Sequence, residues 1–403
     1  MMEELLYRMN PWWTEEYKAP GIKREEYVSK LYALRNLRDV IIIAGIRRVG
    51  KTTIIYQLIE KFIRDGVDPR RILYVSLDNI ALREYTILKI VDEYRRIHSL
   101  RHNDFVYLFL DEVHTKRDYE LQLKNLYDMG YSKIYASGSA SLDIMMKSPY
   151  LTGRQRMIKI YPLSFVEFLK FTNNIISPAD MHLYPSLAEE YVKTGGMPEY
   201  VKTRDLNYLQ SLVDTVIYRD IAGVHGIRYV DKLKDTLSFL AQSVGTPASL
   251  RKIANAVGIS KDEVSRIVNL FILANLVYGV EREGKLSERK ISPRKFYLSD
   301  TGLFTILTDR INLGAIVENA VYLQLCRQGE VRYYRSSGIE IDFVRGKNAW
   351  ESKYKENISE ADLKNLKISK KFKNKMMITK SIEGKMDNIK IVPLWKFLLD
   401  RKV

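Results

Sequence analysis

The first third of the chain alternates short apolar runs with amphipathic segments. The apolar runs predict β-strands at residues 40–44, 72–77, 106–110 and 133–136. Apolar residues at helical spacing predict helices at residues 54–64, 87–97 and 119–129. Strands that alternate with helices usually pair in parallel and are covered on both faces. The pattern therefore predicts an α/β fold built on a parallel sheet.

The middle of the chain, from about residue 186 to residue 245, has helical patterning without strand alternation. A helix predicted at residues 250–257 then ends at Gly258, a natural left-handed cap. Ser260 and Glu263 have the spacing of a capping box, which predicts the start of a second helix. Two helices joined by so short a turn predict a helix-turn-helix.

Strand-like segments at residues 276–281 and 295–298 flank a polar stretch at residues 282–294. This predicted hairpin would be the wing of a winged helix. Residues near the start of the second helix and in the wing are the candidate DNA contacts: Lys261, Ser265, Arg266, Lys285, Arg289 and Lys290. The alternative is that the winged helix serves as a protein-interaction module.

A β-hairpin is predicted close to the C-terminus. Gly346 followed by Lys347 suits a two-residue type II′ turn, which would place Asp342 directly opposite Glu351. Like charges that face each other across a sheet are destabilising unless a cation bridges them. Period-two alternation also places Lys353 on the same face as Glu351. Two acids that share a metal beside a lysine suit metal-assisted phosphodiester hydrolysis.

Composition narrows the classes of function. With 403 residues the chain should hold two or three domains, and its net charge of +16 favours a polyanionic partner, with nucleic acid ahead of a membrane surface. Half of this charge, +8, comes from residues 314–403. The alternative is a basic surface kept for solubility. The single cysteine, Cys326, excludes an intramolecular disulfide. Because the apolar runs are strand-sized and the N-terminus lacks a signal peptide, we expect a cytoplasmic protein without a membrane partner.

The apolar run at residues 40–44 leads into a glycine-rich loop of the form Gly45-x-x-x-x-Gly50-Lys51-Thr52. The glycines let backbone N–H groups curl around a phosphate at the start of a helix. Lys51 would reach the β- and γ-phosphates of ATP or GTP, and the Thr52 hydroxyl would ligate Mg²⁺. The predicted nucleotide-binding residues of this loop are Gly45, Arg48, Gly50, Lys51, Thr52 and Thr53. The alternative is a strand–helix turn without a ligand.

Further residues would complete a hydrolytic site. Asp111 and Glu112 follow a predicted buried strand, so Asp111 would hold Mg²⁺ and Glu112 would orient or deprotonate the attacking water. Ser137, preferred to Ser139, would lie beside the γ-phosphate as a sensor, unless the small residues there only permit a tight turn. Arg154 would act as an arginine finger on a neighbouring subunit, which implies a homo-oligomer. The alternatives are a solvated acidic turn and a solvated arginine.

The segments GIRRVGKT, YLFLDE, ASGSAS, LTGRQ and YPLSFVEFL resemble an archaeal and bacterial family of AAA+ ATPases that often carry a C-terminal nuclease-like region. The resemblance implies ATPase activity, a sensor after the fourth strand, a finger at Arg154 and a helical lid around residues 195–199. Trp12 and Trp13, in a segment that recurs in such proteins, would contact adenine or, as we prefer, pack against the first strand.

Asp342, Glu351 and Lys353 resemble the core of the PD-(D/E)XK nuclease superfamily, in which an upstream helix often adds a further Glu, here Glu318. The resemblance implies a Mg²⁺ or Mn²⁺ ion held by Glu318, Asp342 and Glu351, with Lys353 positioning or protonating. The alternative is an inactive nuclease-like fold.

The predicted domains are an AAA+ P-loop ATPase core at 1–170, a helical lid or linker at 171–245, a winged helix-turn-helix at 246–310 and a restriction-endonuclease-like α/β domain at 311–403. The predicted function is an ATPase that acts on DNA, either with metal-dependent nuclease activity or as a nucleotide-switched DNA-binding or signalling protein whose nuclease-like domain is inactive.

Overall fold

The structure is a computed structural model, and it describes residues 2–138, 150–310, 312–336 and 338–400. The chain divides into two compact units, Met1–Ile160 and Tyr161–Val403, which are taken in turn. Ser139, the second-choice sensor, lies outside the described residues. The bounds of the four predicted domains stay predictions. Among the described helices, none is both long and apolar enough to cross a bilayer.

The first unit is built on a five-stranded sheet with the order β2-β3-β4-β1-β5, in which all paired neighbours run parallel. The strands are β1 Val40–Ala44, β2 Ile72–Ser76, β3 Val106–Asp111, β4 Ser132–Ser137 and β5 Gln155–Lys159. Every residue of β1 is buried, because a parallel sheet is covered on both faces. The parallel sheet expected from the alternating pattern is confirmed.

The helices of the first unit are α1 Met2–Met9, α2 Glu25–Ala33, α3 Lys51–Arg64, α4 Ile87–Ile97 and α5 Tyr119–Met129. The bounds of α4 and α5 match the prediction, whereas α3 begins earlier than the apolar pattern indicated, at Lys51. Gly50, with a φ of 95°, is the residue that turns the loop into this helix. The first turn of α3 therefore belongs to the glycine-rich loop.

The N-terminal segment covers the free edge of β2. The Asn10 side chain is fully buried; its Nδ2 donates to the Tyr74 carbonyl at 2.9 Å, and its Oδ1 accepts from the Tyr74 N–H at 2.6 Å. The Nε1 atoms of Trp12 and Trp13 donate to the Ile72 carbonyl at 3.2 and 2.9 Å. The tryptophans thus pack as preferred. The ring of Trp13 packs against the core cluster that includes residues of β1, whereas the indole N–H groups bond to β2 because only an edge strand has unpaired carbonyls.

The second unit begins with helices. They are α6 Phe165–Phe171, α7 Tyr184–Thr194, α8 Pro198–Thr203, α9 Leu206–Thr215, the π-helix Val216–Gly223 and α10 Val230–Gln242. Residues 186–245, all of which are described, contain no strand. The helical patterning predicted for this stretch is therefore confirmed.

The next elements are α11 Leu250–Val257, α12 Lys261–Leu273, β6 Val277–Val280, α13 Leu286–Ile291 and β7 Lys295–Leu298. Gly258 caps α11 with a φ of 73°, and Ser260 and Glu263 form both hydrogen bonds of the predicted capping box. The strands β6 and β7 pair antiparallel. The expected open polar wing is wrong in one respect, since it contains α13. Its sequence LSERKI consists largely of good helix formers, and Pro293 follows it.

The C-terminal part is a six-stranded sheet with the order β12-β13-β11-β10-β9-β8. Its strands are β8 Arg332–Ser336, β9 Ile339–Arg345, β10 Asn348–Lys353, β11 Asn374–Thr379, β12 Gly384–Met386 and β13 Ile389–Pro393. Its accompanying helices are α14 Phe304–Leu307, α15 Leu313–Cys326, α16 Glu360–Ile368 and α17 Leu394–Leu399. Arg345 pairs with Asn348, and Gly346 has a φ of 60°. The predicted hairpin register is confirmed.

Candidate functional site

The glycine-rich loop takes a conformation that its two glycines permit. A Cβ added to Gly45 would lie 2.4 Å from the Ile160 carbonyl oxygen, so no larger residue fits there. Gly50 and Arg48 have φ values of 95° and 62°, in the left-handed region. This sequence of turns curls the backbone between β1 and α3, as a phosphate-binding loop requires.

Lys51 lies at the start of α3 and is 6% exposed. Its Nζ donates to the carbonyl oxygens of Gly45 at 3.1 Å and Ile46 at 3.3 Å. The ammonium group is thereby folded back over the loop. Thr53 lies in the same first turn of α3, next to Gly21, where an added Cβ would be 3.3 Å from Thr53 Cγ2. A helix N-terminus with an ammonium group above it is suited to bind an anion.

Three hydroxyl groups converge on the buried carboxylate of Asp111. The Thr52 hydroxyl donates to Oδ2 at 2.6 Å, the Tyr74 hydroxyl donates to Oδ2 at 3.1 Å, and the Ser137 hydroxyl donates to Oδ1. The structure therefore brings together the predicted residues of β3, α3 and β4. Tyr74 was missed, because its proximity to Asp111 depends on β2 lying beside β3.

The donor set of this cluster fits Mg²⁺. The Thr52 hydroxyl and the Asp111 carboxylate are oxygen ligands, which this hard cation prefers, and they already lie within hydrogen-bonding distance of each other. These two residues would hold the ion together with the nucleotide phosphates.

Glu112 follows β3 in a left-handed backbone conformation, with a φ of 53°. Its N–H donates to Asp111 Oδ1 at 3.1 Å, and its Oε2 lies 3.2 Å from His114 Nδ1. Burial raises the pKa of the Glu112 carboxyl, although Lys51 opposes the rise. A raised pKa suits a carboxylate that accepts a proton near neutral pH. His114 is a second residue that the sequence analysis missed.

Arg154 precedes β5 and is about one-third exposed. Its Nε lies 3.7 Å from Asp128 Oδ1, and its Nη1 donates to the Tyr150 carbonyl at 3.3 Å. Both contacts belong to the first unit. Its function as a finger on a neighbouring subunit stays a prediction.

The loop between β1 and α3, its lysine, and the acid at the end of β3 together define a P-loop nucleotide site. Comparison with known families agrees, since residues 37–169 match the family described as AAA domain. Residues 37–169 therefore form a P-loop domain of the AAA class. Residues 186–313 and 313–397 match two families described as domains of unknown function, DUF8612 and DUF4143.

Two of the similar proteins are named only as uncharacterized. The chain is 29% identical to the uncharacterized protein MJ1544 of Methanocaldococcus jannaschii, over 89% of this chain and 88% of that protein. It is 27% identical to an uncharacterized protein of Haemophilus influenzae, over 81% and 84% of the two chains. Among solved structures, the Walker-type ATPase PABY2304 of Pyrococcus abyssi is similar with a TM-score of 0.44 and 13% identity, over 73% of this chain and 99% of that one.

A basic cavity of about 590 Å³ lies beside the helix-turn-helix. Polar and basic side chains from α11, α12 and the segment around α13 line it: Ser249, Arg251, Lys261, Ser265, Asn269, Lys290, Ser292 and Arg294. Three of the predicted DNA contacts, Lys261, Ser265 and Lys290, are therefore brought together. Arg251 and Arg294 were missed.

The other predicted DNA contacts lie apart from this cavity lining. Arg266 donates to the His225 carbonyl at 2.8 Å. Arg289 is half-buried and its Nε donates to Glu281 at 2.8 Å, because α13 turns it towards the base of the wing. Lys285 is exposed at the start of α13. The DNA assignments of these residues stay predictions.

The predicted C-terminal site contains an unforeseen lysine. Lys295, the first residue of β7, is 1% exposed. Its Nζ lies 3.1 Å from Glu340 Oε1, 3.2 Å from Asp342 Oδ1 and 3.5 Å from Glu318 Oε1. The only sequence signal was a lysine beside an apolar run in a predicted strand.

The two other predicted residues of this site lie together. Lys353 Nζ is 3.2 Å from Glu351 Oε1. Burial, together with the charge of Asp342, raises the pKa of the Glu351 carboxyl to about 8, and the same two causes raise that of Glu318 to about 7. The lysines act against both shifts. The predicted residues therefore form two neighbouring groups: Glu318 and Asp342 contact Lys295, and Glu351 contacts Lys353.

The acids at this site fit a metal poorly. Within the described ranges, no group of three or more His, Cys, Asp and Glu side chains is arranged to hold a metal ion. Glu318 and Asp342 instead face the ammonium group of Lys295. The expected metal set of Glu318, Asp342 and Glu351 is therefore not supported, because a built-in cation already lies beside two of its members.

Proposed function

We propose that this protein is an ATP-hydrolysing switch that binds DNA through the basic cavity beside α12. The observation that carries the proposal is the convergence of Arg251, Lys261, Lys290 and Arg294 on this cavity, next to a helix-turn-helix. Clustered cations neutralise phosphates, and the second helix of such a motif is the one that enters a major groove. The net charge of +16 is consistent with this partner.

ATP hydrolysis in this proposal uses the residues around the P-loop. Lys51 binds the β- and γ-phosphates, and the Thr52 hydroxyl and Asp111 orient towards the same point. Bound Mg²⁺ would neutralise charge on the phosphates. Glu112 accepts the proton of the attacking water, and Ser137 holds the Asp111 carboxylate in place. Arg154 of an adjacent subunit in a homo-oligomer stabilises the charge on the transferring phosphoryl group.

A non-cleaving switch is preferred to a nuclease. In the nuclease alternative, Asp342 and Glu351 would hold a metal ion, and Lys353 would help to position or protonate the reacting groups. The contact of Lys295 with Asp342 disfavours that alternative. The C-terminal domain then contributes its basic surface rather than phosphodiester chemistry.

Duplex DNA binding should be measured by fluorescence anisotropy between about 50 and about 200 mM salt, with and without ATP. The test variant is Lys261→Glu/Lys290→Glu, and the matched control is Lys364→Glu, which changes an exposed lysine of α16. If both lysines contact phosphates, their loss should weaken binding and lower the slope of log K against log salt by about 1 for each contact. The control should behave as the unmodified protein does.

The same experiment distinguishes the remaining alternatives. If the double variant and the control have equal affinity and equal salt slope, DNA does not bind in this cavity. Absence of salt-dependent DNA binding in the unmodified protein would favour the signalling alternative, in which the winged helix contacts proteins. Plasmid nicking in Mn²⁺ that Asp342→Ala abolishes would support the nuclease alternative instead.

A further inference from the structure

Four side chains form a cluster at the start of β7. They are the ammonium group of Lys295 and the carboxylates of Glu318, Glu340 and Asp342. Glu340 and Asp342 project from the same face of β9, as alternate residues of a strand do, and Glu318 comes from α15. The ammonium group lies within 3.5 Å of an oxygen of each. An ammonium group has three N–H donors, so three carboxylate acceptors can satisfy it fully.

The carboxylates have further donors of their own. The Tyr297 hydroxyl donates to Glu318 Oε1 at 2.7 Å, and the Ser352 N–H donates to Asp342 Oδ2 at 3.0 Å. Lys295 and Ser352 together therefore engage both oxygens of Asp342. A divalent ion would need ligand distances of about 2.0–2.6 Å, which would place it next to the lysine charge. In a buried site such repulsion is weakly screened.

We propose that Lys295 serves as the resident cation of this cluster, excluding divalent metal and joining β7 to β9 and α15 as an ionic lock. The corollary is a latent site. As they stand around Lys295, the three carboxylates are not arranged to hold a metal ion. Replacement of Lys295 by a neutral residue removes their cation, so that they can close on a divalent ion, which prefers such oxygen ligands. The inference depends on neither ATP nor DNA binding, so its failure is distinguishable from failure of those two activities; it shares with the proposed function only the preference for a non-cleaving C-terminal domain.

The probe is Mn²⁺ alone, titrated into the nucleotide-free, full-length protein and followed by electron paramagnetic resonance of the free ion. Four proteins form a cycle: the unmodified chain, Asp342→Asn, Lys295→Met and Lys295→Met/Asp342→Asn. The cycle subtracts any Mn²⁺ bound at Asp111. Lys295→Arg, which keeps the cation, and Lys364→Met, on the surface of α16, are the controls.

We expect equal Mn²⁺ binding by the unmodified chain, Asp342→Asn, Lys295→Arg and Lys364→Met. Lys295→Met should bind one additional Mn²⁺ ion per chain, and the double variant should lose this site. Mn²⁺ should also raise the melting temperature of Lys295→Met selectively.

Two outcomes would overturn the proposal. One is a Mn²⁺ site in the unmodified chain that Asp342→Asn removes, since the metal and Lys295 would then share the cluster. The other is a folded Lys295→Met protein that gains no site. If Lys295→Met does not fold in either the presence or the absence of Mn²⁺, the comparison of the unmodified chain with Asp342→Asn still decides whether native metal is excluded.

Discussion

Two buried lysines, one in each compact unit, hold their charge in different ways. Lys51 donates to the main-chain carbonyls of Gly45 and Ile46, whereas Lys295 lies among three carboxylates. Carbonyl groups orient an ammonium group but leave its charge uncompensated. Carboxylates orient the group and also neutralise its charge. Lys51 keeps its positive charge beside the phosphate-binding loop, although it also interacts with the charge of Glu112. The charge of Lys295 is already neutralised by carboxylates of the same chain.

The comparison also separates two pairs of acids that look alike in sequence. Asp111 and Glu112 end a strand beside the P-loop, where hydroxyl groups hold one carboxylate and the other acid follows in a left-handed turn. Asp342 and Glu351 lie in a hairpin next to two lysines. A carboxylate pair supports hydrolysis only where its surroundings leave room for a substrate and a metal.

The largest expected effect is at Glu112. The change Glu112→Gln keeps the shape of the side chain but removes the proton acceptor, so kcat for ATP hydrolysis should fall by about 10²–10⁴-fold with ATP binding retained. Phosphate release and equilibrium binding of a fluorescent ATP analogue measure the two quantities. The control is Glu84→Gln, an exposed acid of the same unit. Unchanged turnover in Glu112→Gln would rule out its role as the base.

The two lysines can be compared directly by changing each to Met. Lys295→Met should lower the free energy of unfolding by about 3–5 kcal/mol, because it leaves buried carboxylates without their cation. Lys51→Met should cost no more than about 1–2 kcal/mol in nucleotide-free protein, yet it should abolish ATP binding.

Denaturant unfolding and ATP-binding titrations provide both measurements. Equal destabilisation by the two changes would contradict the distinction drawn between these sites. Lys364→Met controls for the loss of a surface lysine.

A third effect is expected in the pH dependence of stability. The pKa of Glu351 is raised to about 8, so the folded state binds a proton that the unfolded state releases above its ordinary pKa. The stabilisation from this proton is complete below the unfolded pKa and is lost as pH rises through about 8. Its slope is about 1.4 kcal/mol per pH unit for one proton.

Melting temperatures of the unmodified chain and Glu351→Gln, measured in EDTA from pH 5 to pH 9, should therefore diverge. The unmodified chain should lose more stability with rising pH, and Glu199→Gln, an exposed acid of the same unit, should follow it. Parallel curves for the unmodified chain and Glu351→Gln would contradict a raised pKa.

Local patterns were sufficient for much of the fold. The bounds of β1 and α11, the capping box at Ser260 and the register of the β9–β10 hairpin all follow from residues close together in sequence. The proximity of Thr52 and Asp111 was also expected, because the glycine-rich loop and the acid at the end of β3 were both assigned to one Mg²⁺ ion.

What the sequence could not supply depends on which elements become neighbours. Tyr74 reaches Asp111 only because β2 lies beside β3. Lys295 reaches Asp342 only because the fold brings the first residue of β7 close to β9. No periodicity reports such an adjacency. The short helix α13 was missed for a different reason, since a polar stretch between two strands looks like a loop even when its residues favour a helix.

The amide of Asn10 has a consequence for solubility. An exposed strand edge is a template on which other chains add strands and aggregate. The Asn10 amide forms the two hydrogen bonds to the main chain of Tyr74 that a neighbouring strand would otherwise form. The indole N–H groups of Trp12 and Trp13 donate to the Ile72 carbonyl. The N-terminal segment thereby covers the edge of β2 at these two residues, which disfavours the addition of another strand there. Protein that has lost this N-terminal cover should therefore become prone to self-association.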